Sequence, residues 1–207
     1  MPEDLPIYSE TMLRSGLQFA GLARLQGLDT APAWMKGDRF IAAMEGATDV
    51  TGARTSLKGL SKDSLLRSHS MLFEDRAGAG QFRTTELRPL YRGQDCAPPQ
   101  FIERSLENFE TWLGADSFSE IHPIERCALT IVRIVDIWPF EFGNLTAAVV
   151  FGNVFLEAAA WTPFFVQPEN MKEFEKAIAQ SMTIEMQPLI NAIYNTVKRE
   201  MELLARP

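Results

Sequence analysis

The residues best placed to do chemistry lie in one short stretch, IWPFEFGNLTAAVV, residues 137–150. Gly143 and Asn144 form a turn there that opens an apolar helix. The first N–H groups of a helix lack partners within it, and its start carries a partial positive charge, so such a turn can hold an anion. Gly143 permits the tight turn and Asn144 is a favoured cap. The same pair is also how an ordinary buried helix begins. The stretch holds no His, Lys, Arg or Cys, and no Lys or Arg falls between Arg133 and Lys172, where Asp136, Glu141, Glu157 and Glu169 stand. A distant Arg such as Arg83 or Arg133 could reach in from elsewhere.

Other candidates are sparse. His69 and His122 are the only histidines, too few for a His-rich metal site. His122 precedes Pro123 at a helix start, and His69 sits on a helix at a semi-apolar position, so both read as structural. Cys96 and Cys127 have neither metal-ligand spacing nor a disulfide pattern, which fits a reducing, cytoplasmic setting. Cys127 lies on an apolar helix face and reads as core. There is no Walker loop, dinucleotide fingerprint or Gly-x-Ser-x-Gly elbow. A net charge of −7 and a pI near 5.0 argue against a nucleic-acid binder. The opening MPEDLPIYSE is acidic and polar, unlike a secretory signal.

The elements that must position these residues follow from helical spacing. With 46% hydrophobic residues in 207, the chain can bury a core as one domain. Amphipathic helices are expected over 9–26, 35–46, 62–75, 100–114, 123–137, 169–181 and 185–204, with Ser61 or Asp63 capping the third. Leu145 to Trp161 is nearly uncharged and close to membrane-span length, but Gly152, Asn153 and Glu157 interrupt it and no basic residues flank it. It reads as the central helix of a helical domain. Only QFRTTELRPLY, residues 81–91, alternates like a strand, and predicts a β-hairpin or an extended flap. The expected fold is all-α, about seven to eight helices with one small β-hairpin flap. It divides into a helical extension over about 1–40, a core over about 40–195 and a last helix reaching about 204.

HPIERCALTIVRIVDIWPFEFGNLTAAVV, residues 122–150, resembles the core of the Fic/Doc (Fido) family. That family joins two helices by a loop reading His-x-Phe-x-Asp/Glu-Gly-Asn-Gly-Arg-x-x-Arg. Pro139, Phe140, Gly143 and Asn144 match it and form the remnant of its anion hole. AGAGQFRTTELRPLY resembles the family's flap, with Gly80, Phe82, Arg83, Thr84 and Leu87 as its markers. APPQFIERSLENFETWL and PENMKEFEKAIAQSMTIEMQPLINAI resemble the flanking helices. IAAMEG, residues 41–46, is similar to the family's inhibitory helix, with Glu45 and Gly46 matching and Ile41 in place of Ser or Thr.

The resemblance implies transfer of AMP from ATP to a hydroxyl, with the motif His as general base and the acidic residue holding Mg²⁺. Here those positions are Trp138 and Phe142; the second Gly is Leu145, and the two Arg positions are Thr146 and Val149. An indole cannot accept a proton. The inhibitory ion pair of Glu45 is lost with Val149. The sequence therefore predicts no catalytic residue, no metal and no cofactor. ATP with Mg²⁺ enters only if the same groove keeps weak nucleotide binding or an altered transferase chemistry. The expected role is a Fic-fold binding or regulatory module with a protein partner at the flap, no nucleic-acid or membrane partner, and a possible homo-oligomer. A third reading is a structural oligomer-former in which Trp138, Phe140 and Phe142 fill the old site.

Overall fold

A computed structural model describes residues 60–204 except 160, 165 and 167–169. The helices expected at 9–26 and 35–46, with Glu45 and Gly46, lie outside the described residues. Seven α-helices follow in order: α1 (Lys62–Leu72), α2 (Ile102–Leu113), α3 (Asp116–Ser119), α4 (Pro123–Ile137), α5 (Asn144–Ala158), α6 (Met171–Ser181) and α7 (Gln187–Leu204). A 3-10 turn, Pro99–Phe101, leads into α2.

The helix limits follow local chemistry. Ser61 caps α1 through a reciprocal box with Ser64, each side chain accepting from the other's backbone N–H. Pro123 starts α4, where its missing N–H costs nothing, and the imidazole of His122 accepts from Ile124 N–H. The short α3 was not expected.

The centre is the α4–α5 pair, the most extensive helix packing among the described residues. The two run antiparallel: Gly152 of α5 lies against Cys127 and Ile131 of α4, while Phe155 sits under Arg126 nearer the α4 start. A Cβ on Gly152 would come within 2.9 Å of Ile131 Cγ1 and 3.0 Å of the Cys127 carbonyl oxygen, so this glycine lets the backbones close. Asn153 exchanges two hydrogen bonds with the backbone of Phe164, at 2.7 and 2.8 Å, pinning the chain beyond α5. Two of the residues that interrupt the apolar run thus serve the fold, Gly152 by close helix packing and Asn153 by anchoring the segment after α5. Apart from Leu145, every residue from Asn144 to Leu156 is buried. α1 packs on α5 and α2, α2 on α4, and α7 on α4 and α6. No helix among the described residues is long and apolar enough to cross a membrane.

The helical architecture is the one expected, and of the two forms expected over 81–91, a hairpin or an extended flap, the flap is the one that forms. No strand occurs among the described residues, and 81–98 runs as an irregular extended flap. Its backbone groups bond elsewhere. Arg83 N–H donates to the Pro139 carbonyl at 2.9 Å and Cys96 N–H to that of Asp136 at 2.9 Å. Gln94 Oε1 takes the N–H groups of Leu90 and Tyr91.

Candidate functional site

The loop between α4 and α5 is held by a small set of polar contacts. Trp138 ends α4 in the left-handed region, φ 53° and ψ 60°, an uncommon conformation for a bulky residue. Its N–H still closes the last helical bond to Ile134, and Pro139 prevents continuation. The Arg83 side chain secures this corner. Nε donates to the Trp138 carbonyl at 2.7 Å and Nη1 to that of Thr85 at 2.7 Å. Nη2 donates to the carbonyl of Ala97. Arg83 is only 2% exposed and makes no salt bridge among the described residues. Its donors are spent on backbone carbonyls, so it is not a cation for a ligand.

Asn144 closes the loop on itself. Its Oδ1 accepts from Phe140 N–H and its Nδ2 donates to the Phe140 carbonyl, both at 2.8 Å. Gly143 has φ 71°, and a Cβ there would stand 2.2 Å from Cε2 of Phe73. Gly143 and Asn144 thus have structural work independent of any phosphate.

His69 is the residue that sequence reasoning undervalued. It is fully buried on α1. Gly80 N–H donates to Nδ1 at 2.9 Å, which leaves Nε2–H to donate to the Phe142 carbonyl at 2.9 Å. The ring stacks on Phe140 with centroids 3.7 Å apart. Burial lowers its pKa, and the nearby Arg76 charge lowers it further against the opposing pull of the Phe142 carbonyl. His69 is therefore a neutral imidazole tying α1, the flap base and the motif loop together. Spacing with Leu65 and Leu72 marks it as inward-facing; its partners could not be read from the chain.

A cleft of about 560 Å³ opens beside this loop, lined by Phe73, Arg76, Leu90, Tyr91, Trp138, Gly143, Asn144, Leu145, Thr146, Met171 and Glu175. The structure thus brings Trp138, Gly143, Asn144, Leu145 and Thr146 to one wall. Pro139, Phe140 and Val149 lie in the interior and do not line it. Phe142 packs edge-on to Phe73 at 5.3 Å and carries the Arg76 guanidinium 4.1 Å above its ring. The three aromatics do not fill the site, because only Phe140 turns fully into the core. Tyr91 has its pKa raised, first by burial and then by the Glu175 carboxylate.

The flap markers separate. Gly80 bonds to His69, and Phe82 packs near Phe140 at 6.2 Å. Thr84 N–H reaches Glu141 Oε1 at 3.3 Å, while Leu87 is half-buried away from the cleft wall. Glu141 also accepts from the Thr85 hydroxyl at 2.8 and 2.9 Å. Arg133 pairs with Asp136 at 2.9 Å beside a separate cavity of about 500 Å³. Among the described residues the cation at the cleft is thus neither Arg83 nor Arg133 but Arg76. Among the described residues no group of three or more His, Cys, Asp or Glu is placed to hold a metal ion.

Comparison with known proteins agrees with this architecture. Residues 59–156 match the sequence model of the Fic/DOC family. The chain is 25% identical over 130 residues to protein adenylyltransferase Fic of Culex quinquefasciatus, covering 62% of this chain and 25% of that protein. It is 23% identical over 168 residues to the Nematostella vectensis protein of that name, covering 74% and 39%. The chain thus spans about a quarter to two-fifths of these relatives. Fic-1 (residues 134–508) of Caenorhabditis elegans superposes with a TM-score of 0.66 at 18% identity, over 94% of this chain and 63% of that one. A Fic domain containing signaling protein of Bacteroides thetaiotaomicron does so with a TM-score of 0.64 at 18% identity, over 81% and 70%. With the motif loop, its two helices and the flap in the order expected, residues 59–156 form a domain of the Fic/DOC family.

Proposed function

We propose that this chain is a Fic-fold binding or regulatory module that does not transfer AMP. The observation that carries this reading is Trp138, an indole lining the cleft where the family resemblance places a proton-accepting imidazole. Loss of a general base costs about 10²- to 10⁴-fold in rate, and loss of one transition-state charge about 3 kcal/mol. Here Thr146 and Val149, at the two Arg positions, are both buried.

Mg²⁺ does not fit. Phe142, at the metal-ligand position, is an aromatic ring beneath a cation. The adjacent carboxylate, Glu141, is turned to the flap hydroxyl of Thr85.

Partner binding at the flap remains part of the proposal. Among the described residues the N–H groups of Glu86, Leu87 and Arg88 make no hydrogen bond, which leaves a short edge for an added strand. A second reading, altered chemistry in the same cleft, draws support from Glu175, the one carboxylate in its wall among the described residues.

Incubation of the purified chain with α-labelled ATP, Mg²⁺ and a cell extract tests the main reading. No label on this chain or on extract proteins is expected. Label that disappears in Glu175→Gln would overturn the proposal and favour the second reading.

A further inference from the structure

The cleft combines features that specify a ligand class. One wall is aromatic, with Phe73, Tyr91 and Trp138. Arg76 lies on its rim, and its guanidinium forms no salt bridge or hydrogen bond among the described residues. Its guanidinium stacks over Phe142 at 4.1 Å, a contact that holds the plane while leaving the N–H edge free for an anion. Glu175 shares the same cleft. Among the described residues the wall carries one cation and one carboxylate, so it offers a contact for a single negative group, at Arg76, and no cluster of cations for a polyanion.

We propose that this cleft binds a flat ring-bearing molecule with a single anionic group, the anion on Arg76 and the ring against Trp138 and Tyr91. The inference rests on the binding-module reading and names the ligand chemistry of that site. Arg76 takes over the anion contact from a different element, the turn after α1, rather than from α5. A volume of about 560 Å³ suits a ligand of drug-like or mononucleotide size.

Phenyl phosphate is the probe, titrated calorimetrically into the full chain beside inorganic phosphate and ATP with Mg²⁺. Phenyl phosphate should bind saturably, inorganic phosphate about 10-fold more weakly for want of the ring, and ATP with Mg²⁺ no more tightly than phenyl phosphate. Arg76→Gln should weaken phenyl phosphate about 10-fold or more with Tm unchanged, since Arg76 is exposed. Arg76→Lys should recover part of the loss, and Glu175→Gln should tighten binding severalfold. Absent saturation, or equal binding by Arg76→Gln, overturns the inference. AMP transfer from ATP would sink the module reading, whereas absent phenyl phosphate binding without transfer sinks this inference alone.

Discussion

The imidazole of His69 lies on the ring of Phe140, centroids 3.7 Å apart and planes 15° apart, while its two nitrogens bond the flap base and the motif loop. One neutral side chain thus fixes three segments. Nδ1 must accept from Gly80 N–H, so a proton added there removes a bond and places a charge in the core.

The pH dependence follows from the sign. Burial lowers the folded-state pKa of His69, so the unfolded chain binds more protons as pH falls. The His69 contribution is fully present above the unfolded value of about 6.5 and is lost as pH falls below it. Urea midpoints measured from pH 8 to 5 should decline, and His69→Phe should flatten that decline. The variant should also lose about 1–2 kcal/mol at pH 8, because the half-buried Gly80 N–H and Phe142 C=O lose their partner. An unchanged slope in the variant would show that other groups set the acid limb.

Gly143 is held by packing as well as by backbone conformation. At φ 71° an alanine costs about 1 kcal/mol. The clash of its Cβ with Phe73, 2.2 Å away in the present geometry, adds a further overpacking cost of about 1–3 kcal/mol. Gly143→Ala should therefore lower stability by about 2–4 kcal/mol in urea unfolding. In the background of Phe73→Leu the same change should cost less, and additive costs would remove Phe73 from the argument.

Arg83 gives a different expectation from that of a ligand-binding cation. Its three donor groups satisfy the carbonyls of Trp138, Thr85 and Ala97 from a buried position. Arg83→Met should cost about 3 kcal/mol in stability, and Arg83→Lys should recover little because an ammonium cannot present the same planar fork. Binding of phenyl phosphate to the folded fraction should be unaffected. A selective loss of binding would place the guanidinium in the cleft.

How much of this was legible in the sequence depended on the range of the interaction. Pro123 and Pro139 bracket α4 in the sequence itself, and its bounds, Pro123–Ile137, matched the expectation. α5 was legible because a nearly uncharged run interrupted by Gly152, Asn153 and Glu157, with no flanking basic residues, reads as a central helix. α3 escaped because its four residues are too short for periodicity to register. The alternation in 81–91 gave a strand pattern, but a carboxylate from the motif loop and an amide from Gln94 took the backbone donors that a hairpin would pair. Arg76 escaped for a related reason: charge counted along 133–172 cannot see a turn that folds over from α1. The motif residues pointed to the site, while its charge and its polar bracing came from elsewhere in the chain.

Glu141 supplies the last prediction. It is exposed, yet it holds the flap: its Oε1 faces the N–H groups of Thr84 at 3.3 Å and Thr85 at 3.4 Å, and both oxygens accept from the Thr85 hydroxyl. These contacts cross from the motif loop to the flap and bury little surface, so they govern local opening more than global unfolding. Glu141→Ala should raise amide exchange at Thr84 and Thr85 by about 10-fold under native conditions. Tm should stay unchanged, and exchange at Gly80, held independently by His69, should not move. If Gly80 exchanges faster as well, the flap and the His69 junction open as one unit. The carboxylate would then act on the whole motif loop rather than on residues 84–85 alone.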